Sequence, residues 1–276
     1  MSDGASQTPT DLNAIAAASF AALGGHQIAP FSRSMPAFTL EEAYQVTAAV
    51  RRAREEAGAR VVGRKIGFTN RTIWDEYGVY APMWGYMYDT TATDLAGEPG
   101  GVLLSEFAEP RIEPEVVFHF ATAPTAAMNE REILDCVDQI AHGFEIVQSI
   151  FPNWSFSPAD TVAAYGLHGG LYTGPWHDIT GNRDEWFAKL PAFEIDLYRN
   201  GELADHGQAS NVLDGPLTAL KHLIDVLAVD PNNPQIAAGE IVTTGTLTRA
   251  FPVVPGETWS TRPGDIPFEG ISITFR

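Results

Sequence analysis

The most informative stretch of this 276-residue chain is Arg111-Ile112-Glu113-Pro114-Glu115-Val116-Val117-Phe118. Its apolar, β-branched character predicts a buried strand, and residues i and i+2 of a strand project to the same face. Glu113 and Glu115 are therefore expected side by side, where two carboxylates repel and lose hydration unless a cation compensates them. The ordinary alternative for a bare Glu-x-Glu pattern is the solvated edge of a sheet.

A third glutamate, Glu145, lies in a similar apolar setting thirty residues after Glu115. Three hard oxygen donors, with no cysteine or histidine among them, suit Mg²⁺ or Mn²⁺ better than zinc. The sequence therefore predicts a divalent-metal site made of Glu113, Glu115 and Glu145.

The composition narrows the class of protein. A formal net charge of −18 argues against nucleic acid and anionic membranes as partners, because basic residues supply the attraction to both. An anionic small molecule stays compatible, since a divalent ion reverses the local field. A single cysteine fits a reducing cytosol, and the sequence shows neither a signal peptide nor an apolar run that spans a bilayer. These features predict a cytoplasmic protein.

The order of the predicted elements favours an α+β fold with much antiparallel sheet. Residues 1–60 are expected to form a helical N-terminal segment, with 1–9 disordered, and residues 61–276 a β-rich catalytic domain, the two making one structural unit. Thr39-Leu40-Glu41-Glu42 has the form of a capping box, and Asn200-Gly201 is a hairpin signal. Helices are predicted over residues 12–23, 43–57, 129–141 and 216–227.

Two further segments carry polar groups with a possible chemical role. Lys65 lies in a strand-like stretch bounded by Gly63 and Gly67. Beside a metal-bound 2-oxo acid, a lysine pairs with the carboxylate or moves protons, whereas the ordinary alternative is a surface lysine. Asp89 follows Gly85-Tyr86-Met87-Tyr88 and is interpreted as an acid that supports the groups around the metal, as a general base, or simply as a turn residue.

Segments near the C-terminus and after residue 73 suggest how a substrate is held. Asn211 precedes a helix and Thr244-Gly245-Thr246 ends a strand, where hydroxyls and free N–H groups can hold a carboxylate. The segment from Trp74 to Trp84 is unusually aromatic. Aromatic walls suit a larger or more apolar substrate than a pentadienoate, and the alternatives are hydrophobic core or a subunit interface.

Six motifs follow one another in a recognisable order. They are Lys-Ile-Gly-x-Thr from Lys65, Gly-Tyr-x-x-Asp from Gly85, Arg-x-Glu-x-Glu from Arg111, Phe-Glu-Ile-Val from Phe144, Asn-Val-Leu-x-x-Pro-Leu from Asn211 and Thr-Gly-Thr-Leu from Thr244. In order and spacing the chain resembles the fumarylacetoacetate hydrolase superfamily, in particular its branch of 2-keto-4-pentenoate hydratases and 4-oxalocrotonate decarboxylases. The resemblance covers residues 39–276.

The resemblance implies a mixed, largely antiparallel β-roll with flanking helices, and a homo-oligomer. It implies one Mg²⁺ or Mn²⁺ held by Glu113, Glu115 and Glu145, with Lys65 and Asp89 matching the lysine and the acid of the active site. The residues expected to bind a 2-oxo or 2-hydroxy acid substrate are Arg64, Asn211, Thr244, Gly245 and Thr246.

The chain departs from the family pattern in one stretch. Where the family usually has Asp-Asn-x-Ser-Ser-Gly facing the substrate, this sequence has Ala164-Tyr165-Gly166-Leu167-His168-Gly169. Hydrogen-bonding groups are lost and a titratable imidazole is gained. His168 is expected either to act as a catalytic acid or base, or to reshape the pocket.

The leading hypothesis is a metal-dependent hydratase that adds water to a 2-hydroxy-2,4-dienoate in aromatic-compound catabolism. One alternative is decarboxylation of a 2-oxo-3-enedioate. Another is C–C hydrolysis of an acylpyruvate-like substrate with His26 as base, which Glu145 disfavours because the hydrolases commonly have aspartate there. A non-catalytic protein with a structural Ca²⁺ or Mg²⁺ site is the alternative from another class.

Overall fold

The computed structural model describes residues 11–98 and 100–276, so the predicted disorder of residues 1–9 lies outside the described residues. Within these ranges the α-helices, α1 to α8 in chain order, are Leu12–Ala21, Phe31–Ser34, Leu40–Glu56, Trp74–Tyr77, Glu130–Asp135, Pro158–Ala163, Arg183–Lys189 and Pro216–Ala228. None of the described helices is long and apolar enough to cross a membrane.

The strands of the described residues form two sheets. In chain order, β1 to β12 are Val61–Gly67, Met83–Tyr88, Ala92–Asp94, Arg111–Phe120, Val137–Val147, His168–Asp178, Glu194–Arg199, Glu202–Gln208, Ile241–Thr243, Phe251–Pro252, Thr258–Pro263 and Ser272–Thr274. The larger sheet has the order β2-β1-β9-β4-β5-β6-β3, with β10 paired to β4, and the smaller has the order β12-β11-β7-β8.

Most neighbouring strands run antiparallel, while β1 with β9 and β3 with β6 run parallel. The two sheets share a core in which Ile112 and Phe144 of the larger sheet join Leu197, Trp259 and Ile273 of the smaller. This mixed, largely antiparallel architecture with flanking helices confirms the predicted fold class.

The N-terminal helices pack close to the stretch that departs from the family pattern. Ile15 of α1 and Val46 of α3 share one hydrophobic cluster with Val162 of α6 and with Tyr165 and Leu167. The N-terminal helices therefore pack against the stretch that departs from the family pattern. The division of the chain at residue 60 stays a prediction.

Local sequence signals explain several boundaries. Thr39 Oγ1 accepts a hydrogen bond from Glu42 N, and Glu42 Oε2 accepts one from Thr39 N, so the predicted capping box begins α3. Asn200 and Gly201 both have positive φ, at 53° and 83°, and connect β7 to β8 as the hairpin signal predicted.

The helix predicted over residues 129–141 is wrong in its second half. Helix α5 ends at Asp135, and β5 begins at Val137, directly opposite Phe120 of β4. Short apolar runs fit both helix and strand periodicity, and here the long pairing with β4 decides the structure. Helix α6, which Ser157 caps, was not predicted.

Candidate active site

Strand register brings the three glutamates together. In the antiparallel β4–β5 pair, Glu113 lies directly opposite Glu145, and Glu115 lies opposite Gly143. One carboxylate oxygen from each glutamate lies within 4.8 Å of the others. Glu113 is 9% exposed and the other two are fully buried, in strands that have neighbours on both sides. The alternative of a solvated sheet edge is therefore excluded.

The cluster concentrates negative charge in a dry place. Burial raises the pKa of Glu113 to about 7, although the charge of Lys65 opposes the shift. Burial, and then the charge of Glu145, raise the pKa of Glu115 well above its usual range. Burial also acts on Glu145, but Lys65 and a hydrogen bond from His168 outweigh it and hold the pKa at about 2. The cluster thus needs more positive charge than Lys65 alone supplies.

Lys65 lies on β1, which β9 separates from β4, and its side chain reaches this cluster. Its Nζ donates to the carbonyl oxygen of Gly166 at 3.0 Å and lies 3.4 Å from Glu145 Oε1. The side chain is buried, which excludes the surface lysine considered above. The three carboxylates raise the pKa of Lys65 against the effect of burial, so it stays an ammonium.

Arg64, which was predicted to bind substrate, is not brought to the cluster. It pairs with Glu240 and donates to the carbonyl oxygen of Pro234, and its guanidinium lies over the ring of Tyr86. Adjacent residues of a strand point to opposite faces, so Arg64 must point away when Lys65 points to the glutamates. The prediction for Arg64 ignored this alternation.

Asp89 also lies away from the glutamates. Its carboxylate accepts from the backbone N–H and from Nε of Arg60, each at 2.9 Å, and its side chain is 28% exposed. Lys65 is opposite Gly85 in the β1–β2 pair, which places Asp89 four residues, roughly 13 Å, further along. The structure therefore does not bring Asp89 to the glutamates, and its catalytic role stays a prediction.

His168 supports the cluster from its far side. Its Nδ1 lies 2.8 Å from Glu145 Oε1, and its Nε2 lies 2.9 Å from Thr91 Oγ1. Because an ionised carboxylate only accepts hydrogen bonds, Nδ1 carries a proton and donates it to Glu145. Thr91, which sequence reasoning did not single out, completes this buried chain of contacts.

The loop after β9 reaches the cluster through its backbone. Gly245 N donates to Glu115 Oε2 at 2.7 Å. Its φ of +100° favours glycine, and a Cβ at this position would lie 1.9 Å from Thr69 Oγ1. The other three C-terminal candidates hold the loop itself, because Thr244 O accepts from Thr69, Asn211 Nδ2 donates to Leu247 O, and Thr246 Oγ1 donates to Thr248 O. Their substrate-binding roles stay predictions.

A cavity opens beside Lys65 and Glu113. Its remaining side-chain wall is apolar or aromatic and comprises Phe68, Ile73, Tyr77, Val147, Trp154, Leu167 and Ala250. Of the predicted aromatic segment, Tyr77 belongs to this wall, Trp84 is buried in the core and Tyr80 is 63% exposed. Phe68 and Trp154 were missed, since neither lies in a periodic pattern.

Two carboxylate oxygens indicate what the cluster accommodates. Glu115 Oε1 and Glu145 Oε2 are buried and find no hydrogen-bond donor anywhere in the described part of the chain. Buried polar atoms are normally satisfied, so two unsatisfied oxygens within a cluster of three carboxylates indicate that the cluster can bind a cation. The donor set fits a hard divalent ion.

Comparison with known proteins points in the same direction. The family model for the C-terminal part of fumarylacetoacetate hydrolase matches residues 78–269. The 2-hydroxyhexa-2,4-dienoate hydratase of Comamonas testosteroni is 28% identical over 231 residues, which is 83% of this chain and 84% of that protein. The 4-oxalocrotonate decarboxylase of Pseudomonas sp. (strain CF600) is 28% identical over 245 residues, 88% of both chains.

A solved structure is similar over nearly the whole length. It is the 4-oxalocrotonate decarboxylase of Pseudomonas putida G7, complexed with magnesium and adipate. Its TM-score is 0.86 at 25% identity, and the match covers 98% of this chain and 99% of that one. The likeness therefore includes the N-terminal helices as well as the sheets.

Proposed function

Because the chain belongs to the fumarylacetoacetate hydrolase family, a family of enzymes, we propose that it is a divalent-metal-dependent hydratase of 2-hydroxy-2,4-dienoates. The observation that carries the proposal is the buried cluster of Glu113, Glu115 and Glu145 beside the Lys65 ammonium. The hydratase relatives support the choice of reaction.

Apart from the dienoate, the reaction needs only water. The proton of the substrate's 2-hydroxyl is lost and a proton is added at C5, which gives the 2-oxo-3-enoate. Water then adds across this conjugated alkene, with the hydroxyl at C4 and hydrogen at C3, and the product is a 4-hydroxy-2-oxo acid.

Glu113, Glu115 and Glu145 would hold Mg²⁺ or Mn²⁺, which supplies Lewis-acid polarisation of the carboxylate and 2-oxygen of the substrate. Lys65 has three ammonium protons, and its two contacts, with Gly166 O and Glu145, leave one for the substrate. Lys65 Nζ thus stabilises negative charge on the dienolate or delivers its proton.

His168 has a positioning role in this proposal. Its hydrogen bond fixes one oxygen of Glu145, and Thr91 fixes the ring. Asp89 takes no part, because it is bound to Arg60 away from the cluster. The apolar wall of the cavity offers water few hydrogen-bond partners and so strengthens each charged contact beside it.

A product assay tests the proposal. In Mg²⁺, 2-hydroxypenta-2,4-dienoate is expected to lose its absorbance and to yield 4-hydroxy-2-oxopentanoate, and EDTA should stop the conversion. A dienoate that persists in the presence of protein with bound Mg²⁺ would contradict the proposed reaction.

A second candidate is decarboxylation of a 2-oxo-3-enedioate, which the likeness to the Pseudomonas putida G7 decarboxylase favours. Release of CO₂ from 2-oxo-3-hexenedioate at a higher kcat/KM than dienoate hydration would select it. C–C hydrolysis is not proposed, since the suggested base, His26, is exposed and is not among the residues that line the cavity.

A further inference from the structure

The wall of the cavity beside the glutamates offers little to a second charged group. Apart from Lys65 and Glu113, its side chains are uncharged, and seven of them supply the apolar surface: Phe68, Ile73, Tyr77, Val147, Trp154, Leu167 and Ala250. A substrate whose head is held at the glutamates must lay its far end against this surface.

Lys65 and Arg111, the two cations that approach the glutamates along their strands, are already engaged. Lys65 is held between Glu145 and the carbonyl of Gly166. Arg111 precedes Glu113 by two residues and shares its face of β4, but its Nη1 donates to Tyr77 Oη and its guanidinium lies 4.2 Å from the ring centroid of Trp154. This cation–π contact and hydrogen bond keep Arg111 behind the aromatic wall, outside the lining of the cavity.

The aromatic wall is held firmly in place. Tyr77 stacks on Phe156 with an interplanar angle of 7°, and its ring edge meets Phe68. Trp154 Nε1 donates to the carbonyl of Glu109, although the backbone of Trp154 has a φ of +54°. A bulky residue in this conformation persists when its surroundings fix it, which is common at binding sites.

From these contacts we propose that the cavity selects 2-oxo and 2-hydroxy acids with an uncharged alkyl or aryl far end, and rejects a carboxylate there. The inference rests on the proposed function, because it assumes that the head group lies at the glutamates. A far-end carboxylate would lose its hydration against Phe68, Trp154 and Leu167, and apart from Lys65, which is held at the glutamates, no cation lines the cavity to replace it.

Two saturated acids of equal chain length test the inference without turnover. Calorimetric titration of the Mg²⁺-loaded protein with 2-oxohexanoate and with 2-oxohexanedioate compares a terminal methyl group with a terminal carboxylate. We expect the monoacid to bind about 100-fold more tightly, as the desolvation of an unpaired charge requires. Equal or tighter binding of the diacid would overturn the inference and leave the proposed metal site standing. Binding of neither acid would overturn the proposed function as well.

Variants of the wall make the test sharper. Ile73→Arg adds a cation to the lining at a half-buried position and should shift the affinity ratio at least 10-fold toward the diacid. Tyr80→Arg adds the same charge at an exposed position nearby and should leave the ratio unchanged. If Arg111→Met lowers the affinity for the diacid and spares the monoacid, Arg111 leaves its aromatic contacts to read a far carboxylate, and the inference is wrong.

Discussion

The floor of the site, formed by Glu113, Glu115 and Glu145, consists of paired strands, whereas its rim, residues 152–167, leaves regular backbone repeatedly. In the rim, Asn153, Trp154, Tyr165 and Leu167 all have positive φ without being glycine. The floor is fixed by register, because a one-residue slip would turn its carboxylates to the other face. The rim is fixed by contacts with distant residues. Because of this difference, we expect the residues that carry the chemistry to tolerate little substitution. The residues that set the preference for a substrate tail should tolerate more.

Loss of a carboxylate from the floor should have the largest effect. Glu115→Gln removes a charge from the cluster, and turnover should fall more than about 100-fold, beyond the loss seen when only the support of a metal ligand is removed. The metal-free variant should be at least as stable as the parent, since a buried, repelled charge is gone. Steady-state kinetics and thermal melts in EDTA measure both.

Glu202→Gln, at an exposed position of β8, is the matched control and should change neither quantity. Unfolding of the Glu115→Gln variant, together with unfolding of the parent in EDTA, would instead indicate a structural metal site.

Removal of the ammonium at the edge of the floor should have the next largest effect. Lys65→Met keeps the length of the side chain but leaves the dienolate without its proton donor, so kcat should fall about 10²- to 10⁴-fold. Mg²⁺ should still bind, because the carboxylates remain. Normal turnover in this variant would remove Lys65 from the proposed mechanism.

His168 stands where rim and floor meet, and its replacement separates support from chemistry. His168→Ser, which restores the residue type usual in the family, takes the donor away from Glu145 and should weaken Mg²⁺ binding about 10- to 100-fold. His168→Gln keeps an N–H donor and should recover part of the affinity. Equal loss of turnover in both variants at saturating Mg²⁺ would assign His168 a direct catalytic role.

The pH dependence of the metal-free protein tests the charge of the floor. The carboxyl of Glu113 ionises less readily in the fold than in the unfolded chain, because burial raises its pKa from 4.5 to about 7. It therefore stabilises the fold below pH 4.5, and this contribution is lost as the pH rises to 7. In EDTA, the free energy of unfolding of the parent relative to Glu113→Gln should fall between pH 5 and pH 7.5. A constant difference would contradict the shift.

The smallest effect is expected in the rim. Asn153→Gly relieves the backbone strain of a φ of +60° in the folded protein. It also gives the unfolded chain more conformational freedom, so the two effects on the free energy of unfolding oppose each other. Stability should change by less than about 1 kcal/mol, and Mg²⁺ affinity should not change. Chemical denaturation measures the change in stability. A larger loss of stability would show that the rim tolerates substitution no better than the floor.

Strand alternation made the floor predictable and could also have corrected Arg64. A two-residue period alone places Glu113 and Glu115 on one face of their strand. The same period places Arg64 and Lys65 on opposite faces of β1. Local signals likewise predicted the capping box that begins α3 and the β7–β8 hairpin. Its apolar setting suggested Glu145 as the third carboxylate, the family resemblance agreed, and register places it opposite Glu113.

The rim, and the contacts that Phe68 and Thr91 make from outside it, were not predictable in this way. Trp154 and Phe68 enter the cavity wall through irregular backbone that has no period, and Thr91 reaches His168 across 77 residues of sequence. Asp89 was misplaced because its motif resembles an active-site segment while its side chain is captured by Arg60. Helix α5 was extended too far since the apolar run after Ile133 suits either kind of element.

We expect the floor to bind one divalent ion, and we expect this binding not to depend on the rim. Titration with Mn²⁺, followed by electron paramagnetic resonance of the free ion, measures this directly for the parent, Glu115→Gln and Trp154→Leu. We expect one tight Mn²⁺ per chain in the parent and in Trp154→Leu, and none in Glu115→Gln. Tight binding that survives Glu115→Gln would contradict this expectation.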